Sequence, residues 1–160
     1  MGRTTALRSA LKAVFYPYVE ARGFILDTSN QPWFTTFRRH QGDKVHVFDI
    51  QWDKYGGPRF VLNFGEAPAN GLVRQHEPIA PQHIDLCDCQ PRLRLQRRRG
   101  GTMGCWFQLR RPLWEQFISL SREYRPEEVA HRVTASFAEV ETWWATRVQG
   151  PHVHGIGHDA

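Results

Sequence analysis

Two runs of alternating residues flank a Tyr-Gly-Gly-Pro turn in VFDIQWDKYGGPRFVLNFGEAP, residues 47 to 68. Successive side chains of a strand point to opposite faces, so this alternation predicts a sheet with one buried face. Residues 33–39 and 44–52 flank His40-Gln41-Gly42-Asp43, a hairpin-loop composition, and 59–65 form a third strand. With residue 46 paired near 37, and 52 near 62, Trp33, Phe37, His46, Phe48, Ile50, Trp52, Phe60, Leu62 and Phe64 share one face. Thr36, Arg38, Asp49, Gln51, Asp53, Arg59 and Asn63 share the other. One apolar and one mostly polar face is the signature of a half-buried antiparallel meander. Trp52 and Phe64 are therefore expected in the core, with Gln51 and Asn63 pointing away from it.

Helical spacing brackets this meander. Leu7, Leu11, Val14 and Tyr18 recur every three to four residues, after a Thr4 or Thr5 cap and before Gly23, with Pro17 expected to kink the helix. Residues 66–91 carry Pro68, Pro78, Pro81 and Pro91 and read as a long irregular connection, with room for a short helix near Pro81 to Leu86. Leu93 and Leu95 alternate with Arg92 and Arg94 as a fourth strand, and Cys105 to Leu109 return as a fifth after Gly100, Gly101 and Gly104. Pro112 opens a helix with Leu113, Phe117 and Leu120 as its stripe. Pro126 opens another, with Glu127 and Glu128 in its first turn and Val129, Val133, Phe137, Val140 and Trp144 along one face. The expected fold is α+β: an antiparallel β-meander of three to five strands, with N-terminal and C-terminal helices (residues 3–22 and 112–147) packed on its aromatic face. Residues 1–149 form one domain, and 150–160 a flexible tail holding His152, His154 and His158.

Composition narrows the partners. A chain of 160 residues, 41% apolar and 23% charged, fits a single globular domain. No apolar run reaches bilayer-spanning length, and the N-terminus has no signal-peptide core, so the expected location is the cytoplasm, without membrane association. Cys87, Cys89 and Cys105 are expected as free thiols, because an odd set without an export signal is no disulfide framework. Residues 92–111 hold seven arginines and no acid, leaving −2 for the rest of a chain whose total is +5.

A proline-interrupted helix ending in Gly23-Phe24, an aromatic strand ending in Arg38, then FDIQW and RFVLNFG place Gln51 on one strand and Phe60, Asn63 and Gly65 on the next. Cys89 precedes an Arg/Leu strand, Trp106 follows, and a helix closes the domain. Over roughly residues 6 to 147 this pattern is similar to the bacterial family called domain of unknown function 4304. Asp49 departs from it, standing where a small polar residue such as asparagine is expected. The resemblance implies a small α+β domain and no assigned activity. By analogy with other small bacterial families it implies a toxin-immunity-like or accessory role.

Three readings of function follow. The leading one is a non-catalytic interaction protein with an unknown protein partner, binding through the polar sheet face at Asp49, Gln51 and Asn63. Cross-strand neighbours lie about 4.5–5.5 Å apart at Cβ, so these groups can orient one ligand. The alternative is nucleic-acid or phosphate-ligand binding through Arg97, Arg98, Arg99, Arg110 and Arg111, with Trp106 and Phe107 nearby for stacking. A hydrolase-type enzyme on the polar face is the third. No nucleophile motif, phosphate-cradling loop or zinc-ligand spacing is present, so no catalytic residue, metal or cofactor is assigned. Asp49 and Asp53 are expected to be solvated strand carboxylates. Asn63 is not, because asparagine is a poor strand former and calls for a local reason.

Overall fold

In the computed structural model, residues 2–28 and 31–156 are described. Helix α1 (Arg3–Glu20) leads to β1 (Ile25–Leu26), β2 (Phe34–Gln41), β3 (Lys44–Trp52) and β4 (Arg59–Pro68). A two-stranded ribbon, β5 (Leu72–Arg74) and β6 (Glu77–Ile79), and two 3₁₀ turns at Pro81–His83 and Leu86–Asp88 occupy the long connection. Then come β7 (Leu93–Leu95), β8 (Phe107–Gln108), α2 (Leu113–Ser119), α3 (Pro126–Thr146) and β9 (Val153–Gly155). The main sheet is antiparallel, in the order β1-β2-β3-β4-β7-β9, with β8 also pairing β4.

The meander carries the expected faces. Phe37, Phe48, Ile50, Trp52, Phe60, Leu62 and Phe64 are buried together against Leu7, Leu11, Phe15 and Val19 of α1 and Val133, Phe137, Val140 and Trp144 of α3. Phe48 sits at the centre of the aromatic packing, stacked on Phe37 at 4.9 Å and edge-on to Phe137 at 5.1 Å. His46 is buried on the same face and stacks flat on Trp144 at 4.3 Å. The register differs from expectation by two residues, with Phe37 opposite Phe48 and Trp52 opposite Phe60. A shift of two preserves every face, whereas a shift of one would have inverted them.

Several expectations are corrected. Trp33 lies before β2 and is 45% exposed, outside the core. The first helix begins at Arg3, ahead of Thr4 and Thr5; Thr4 Oγ1 instead donates to the Gly56 carbonyl. The second sheet face is not simply polar. Val45, Val47 and Ala67 point there and form a second core with Ile84, Leu86 and Cys89, because the long connection folds back over the sheet. Gly65 permits that closeness, since a Cβ on it would lie 2.7 Å from Cys89 Cβ.

The fourth correction concerns α2. Its apolar stripe covers nothing: Leu113, Trp114, Phe117, Ile118 and Leu120 are 64–95% exposed. The helix tips a protrusion whose stem is closed by Tyr124 N–H donating to the Leu109 carbonyl and Arg111 N–H to that of Arg122. Of the described α-helices, α1 and α3 cover the aromatic face. In the segment expected as a tail, Val153–Gly155 pair with β7 as β9, and Val153 is fully buried. His158 lies outside the described residues.

Candidate functional site

Register assembles the polar site. Thr36 lies opposite Asp49, Asp49 opposite Asn63, Asn63 opposite Arg94, and Arg94 opposite His154. Opposed residues share a face, so five strands contribute one continuous polar row. Gln51, two residues along β3 from Asp49, stands beside that row, with Phe34 as its partner on β2. The structure thus brings the three candidates Asp49, Gln51 and Asn63 together and adds Arg94.

Asn63 is the hub. Its Nδ2 donates to Asp49 Oδ1 at 2.9 Å and to Gln51 Oε1 at 2.9 Å, while its Oδ1 accepts from Arg94 Nε at 2.8 Å. Arg94 Nη2 closes the circuit by donating to Gln51 Oε1 at 3.2 Å. The side-chain amide is engaged at both ends while the residue is only 4% exposed. This explains an asparagine in mid-strand. Asp49 is 7% exposed, so it is no solvated carboxylate, and burial pushes its pKa up to about 7. The Asn63 hydrogen bond and the Arg94 charge oppose that rise.

Above this floor lies a cleft of about 990 Å³, lined by the 82–87 segment and also by Arg92 and Ile156. Arg38 fixes the wall. Its Nε donates to the Ile84 carbonyl at 2.7 Å, and its terminal nitrogens reach Asp27 at 2.7 Å and Asp85 at 3.0 Å. Asp88 then braces the turn, accepting from the Asp85 N–H at 3.0 Å and from Arg74 at 2.9 Å. Asp85, Cys87 and Asp88 hold ligand-type atoms within 4.8 Å of one another, but both carboxylates serve these arginines. Sequence reasoning missed Arg94. The alternation of Arg94 with Leu93 and Leu95 placed it on the polar face, and only the β4–β7 register shows that it meets Asn63.

Asp53, expected on the same face, is elsewhere. It locks the turn after β3, 2% exposed, accepting from the Tyr55 N–H at 2.9 Å and from Arg59 Nε at 2.7 Å. The arginine candidates do not converge on one surface group. Arg97 donates to the Gly104 carbonyl and Arg99 to that of Gly150. Arg111 pairs with Glu115 and Glu128, while Arg110 is exposed beside a backbone bridge to Glu123. Arg98 is exposed, and the neighbouring Trp106 and Phe107 are buried rather than offered for stacking. Cys87, Cys89 and Cys105 are free thiols, and burial pushes Cys89 up to about 12.

A main antiparallel sheet with α1 and α3 on one face and a walled polar cleft on the other defines a small α+β domain. The chain belongs to the family described as Domain of unknown function (DUF4304), whose model matches residues 34–147, from β2 to the end of α3. That span contains Asp49, Gln51, Asn63, Arg92 and Arg94. No curated protein and no solved structure matches the chain.

Exchanging Asn63 for Thr tests whether the polar row is a connected network. The change leaves Asp49, Gln51 and Arg94 without their shared partner, and the expected cost is about 1–3 kcal/mol in urea melts. An ordinary solvated strand position would stay within about ±0.5 kcal/mol.

Proposed function

We propose that this domain is a non-catalytic cytoplasmic interaction protein that receives a polar segment of a partner protein in the cleft over Asp49, Gln51, Asn63 and Arg94. The observation that carries this reading is the floor itself, whose amide, carboxylate and guanidinium groups are already held by one another. Groups held in advance lose little side-chain freedom on binding, which favours recognition. The cleft is at the upper end of the range usual for ligand sites, about 300–1,000 Å³, and suits an extended segment.

A catalytic reading has less support. Acid–base chemistry asks for a proton-transfer group beside a nucleophile or an orienting base. Asp49 has the pKa of such a group, yet its side-chain hydrogen bond goes to the Asn63 amide. The arginine-strip reading is weakened by the internal partners of Arg97, Arg99 and Arg111. A protein partner is favoured by α2, whose exposed apolar side chains exceed what an isolated surface requires. No helix among the described residues is long and apolar enough to cross a membrane. The three free thiols suit a reducing compartment.

Thr36→Trp tests the reading by filling the cleft beside Asp49 from its partly exposed position on β2. Affinity capture from the native cell extract, quantified against wild type, should show one protein retained by wild type and lost by the variant, at equal melting temperature. Equal retention by both chains would contradict the cleft as the binding surface.

A further inference from the structure

The three cleft arginines are not equivalent. Arg38 is neutralised by Asp27 and Asp85. Among the described residues, Arg94 hydrogen-bonds to the neutral amides of Asn63 and Gln51 through Nε and Nη2 and lies over the Trp106 ring at 5.9 Å, and its Nη1 makes no hydrogen bond. Arg92 makes no side-chain hydrogen bond or ion pair among the described residues, and its Nε is buried without a partner. Its backbone is anchored instead, with the carbonyl accepting from the Ile156 N–H at 2.9 Å.

Arg92 and Arg94 are two residues apart on extended backbone, so both side chains project to the same face, and both line the cleft. The Nε of Arg92 is shut off from the cleft, so an incoming group would meet the terminal nitrogens of Arg92, which no side chain among the described residues engages. A planar guanidinium is matched by the paired oxygens of a carboxylate or phosphate. Asp49, the acid nearest Arg94 on the floor, is already engaged by Asn63 through Oδ1 and does not reach Arg92 in any hydrogen bond.

We propose that the ligand of this cleft presents a compact oxyanion, a carboxylate or a phosphate, to Arg92 and the free edge of Arg94, while Gln51 and Asp49 meet its adjoining polar atoms. The inference rests on the cleft being the binding surface and adds the chemistry of what enters.

The test is a titration of the full ¹⁵N-labelled chain with sodium acetate, inorganic phosphate and neutral acetamide, at ionic strength held constant with sodium chloride. Saturable movement of the Arg92 Nε–H signal and of the residue 92–94 amides is expected with acetate or phosphate, and the stronger of the two identifies the anion. Arg92→Gln should weaken that binding about tenfold or more, the equivalent of one lost charge-assisted hydrogen bond, without changing the melting temperature. Anion shifts that fail to saturate, or that persist unchanged in Arg92→Gln, overturn the proposal. If acetamide moves the Gln51 and Asn63 side-chain amides while both anions leave Arg92 unmoved, the oxyanion is wrong and the cleft reading stands. If no probe moves any cleft resonance, both are contradicted.

Discussion

Replacing Phe64 by Ala is expected to cost about 3–5 kcal/mol, combining lost transfer energy with the cavity left behind. Phe64 is fully buried on β4, edge-on to Trp143 at 5.5 Å and to Trp144 at 5.7 Å. Two large rings from α3 therefore lean on it, and neither can follow a shrinking side chain without moving the helix. Close-packed interiors relax only in part after such a deletion. Urea melts read the effect as a lower midpoint at unchanged slope. An unchanged midpoint would remove Phe64 from the core and with it the face assignment that sends Asn63 into the cleft.

The second large effect is a pH dependence centred on Asp49. The carboxyl has an ordinary pKa near 4 in the unfolded chain and about 7 in the folded one, because burial disfavours its charge. Between those values the folded state binds the extra proton, so the contribution of Asp49 to stability falls as pH rises from about 4 through 7. Asn63 and Arg94 favour the charged form and Asp85 opposes it, and all three are included in that net shift. A difference of about three units corresponds to on the order of 4 kcal/mol lost by pH 8. Asp49→Asn keeps an acceptor for Asn63 and carries no charge. Its stability relative to wild type should therefore be level near pH 4 and several kcal/mol in its favour at pH 8. Melts at pH 4, 6 and 8 check this as a difference between the two chains, which cancels groups that titrate alike in both. A difference independent of pH would mean that the Asp49 pKa is the same in the folded and unfolded chains.

The sequence was most legible where a local rule sufficed. Period-two alternation assigned Phe48, Ile50, Trp52, Phe60, Leu62 and Phe64 correctly even though the register was two residues off. Asn63 announced itself as a poor strand former, and its hydrogen-bonding hub supplies the reason. Long-range closure was illegible. Val45, Val47 and Ala67 are apolar residues at polar-face positions, a signal that something covers them, but the cover lies well beyond them in the chain at Ile84, Leu86 and Cys89. Asp49 lines the cleft that this segment walls, and its raised pKa comes from a burial that β3 alone does not reveal. The stripe of α2 failed for a different reason: amphipathic spacing identifies an apolar face without saying what it packs against. Here no described residue covers it.

Hydrogen–deuterium exchange of the wild-type chain, with its captured partner bound and without it, tests the central claim most directly. The account predicts slowed exchange in the 81–92 wall and in β2 around Phe34 to Arg38, the segments that frame the cleft. Protection confined to residues 97–111, with the wall unchanged, would instead locate binding on the arginine strip and contradict the cleft.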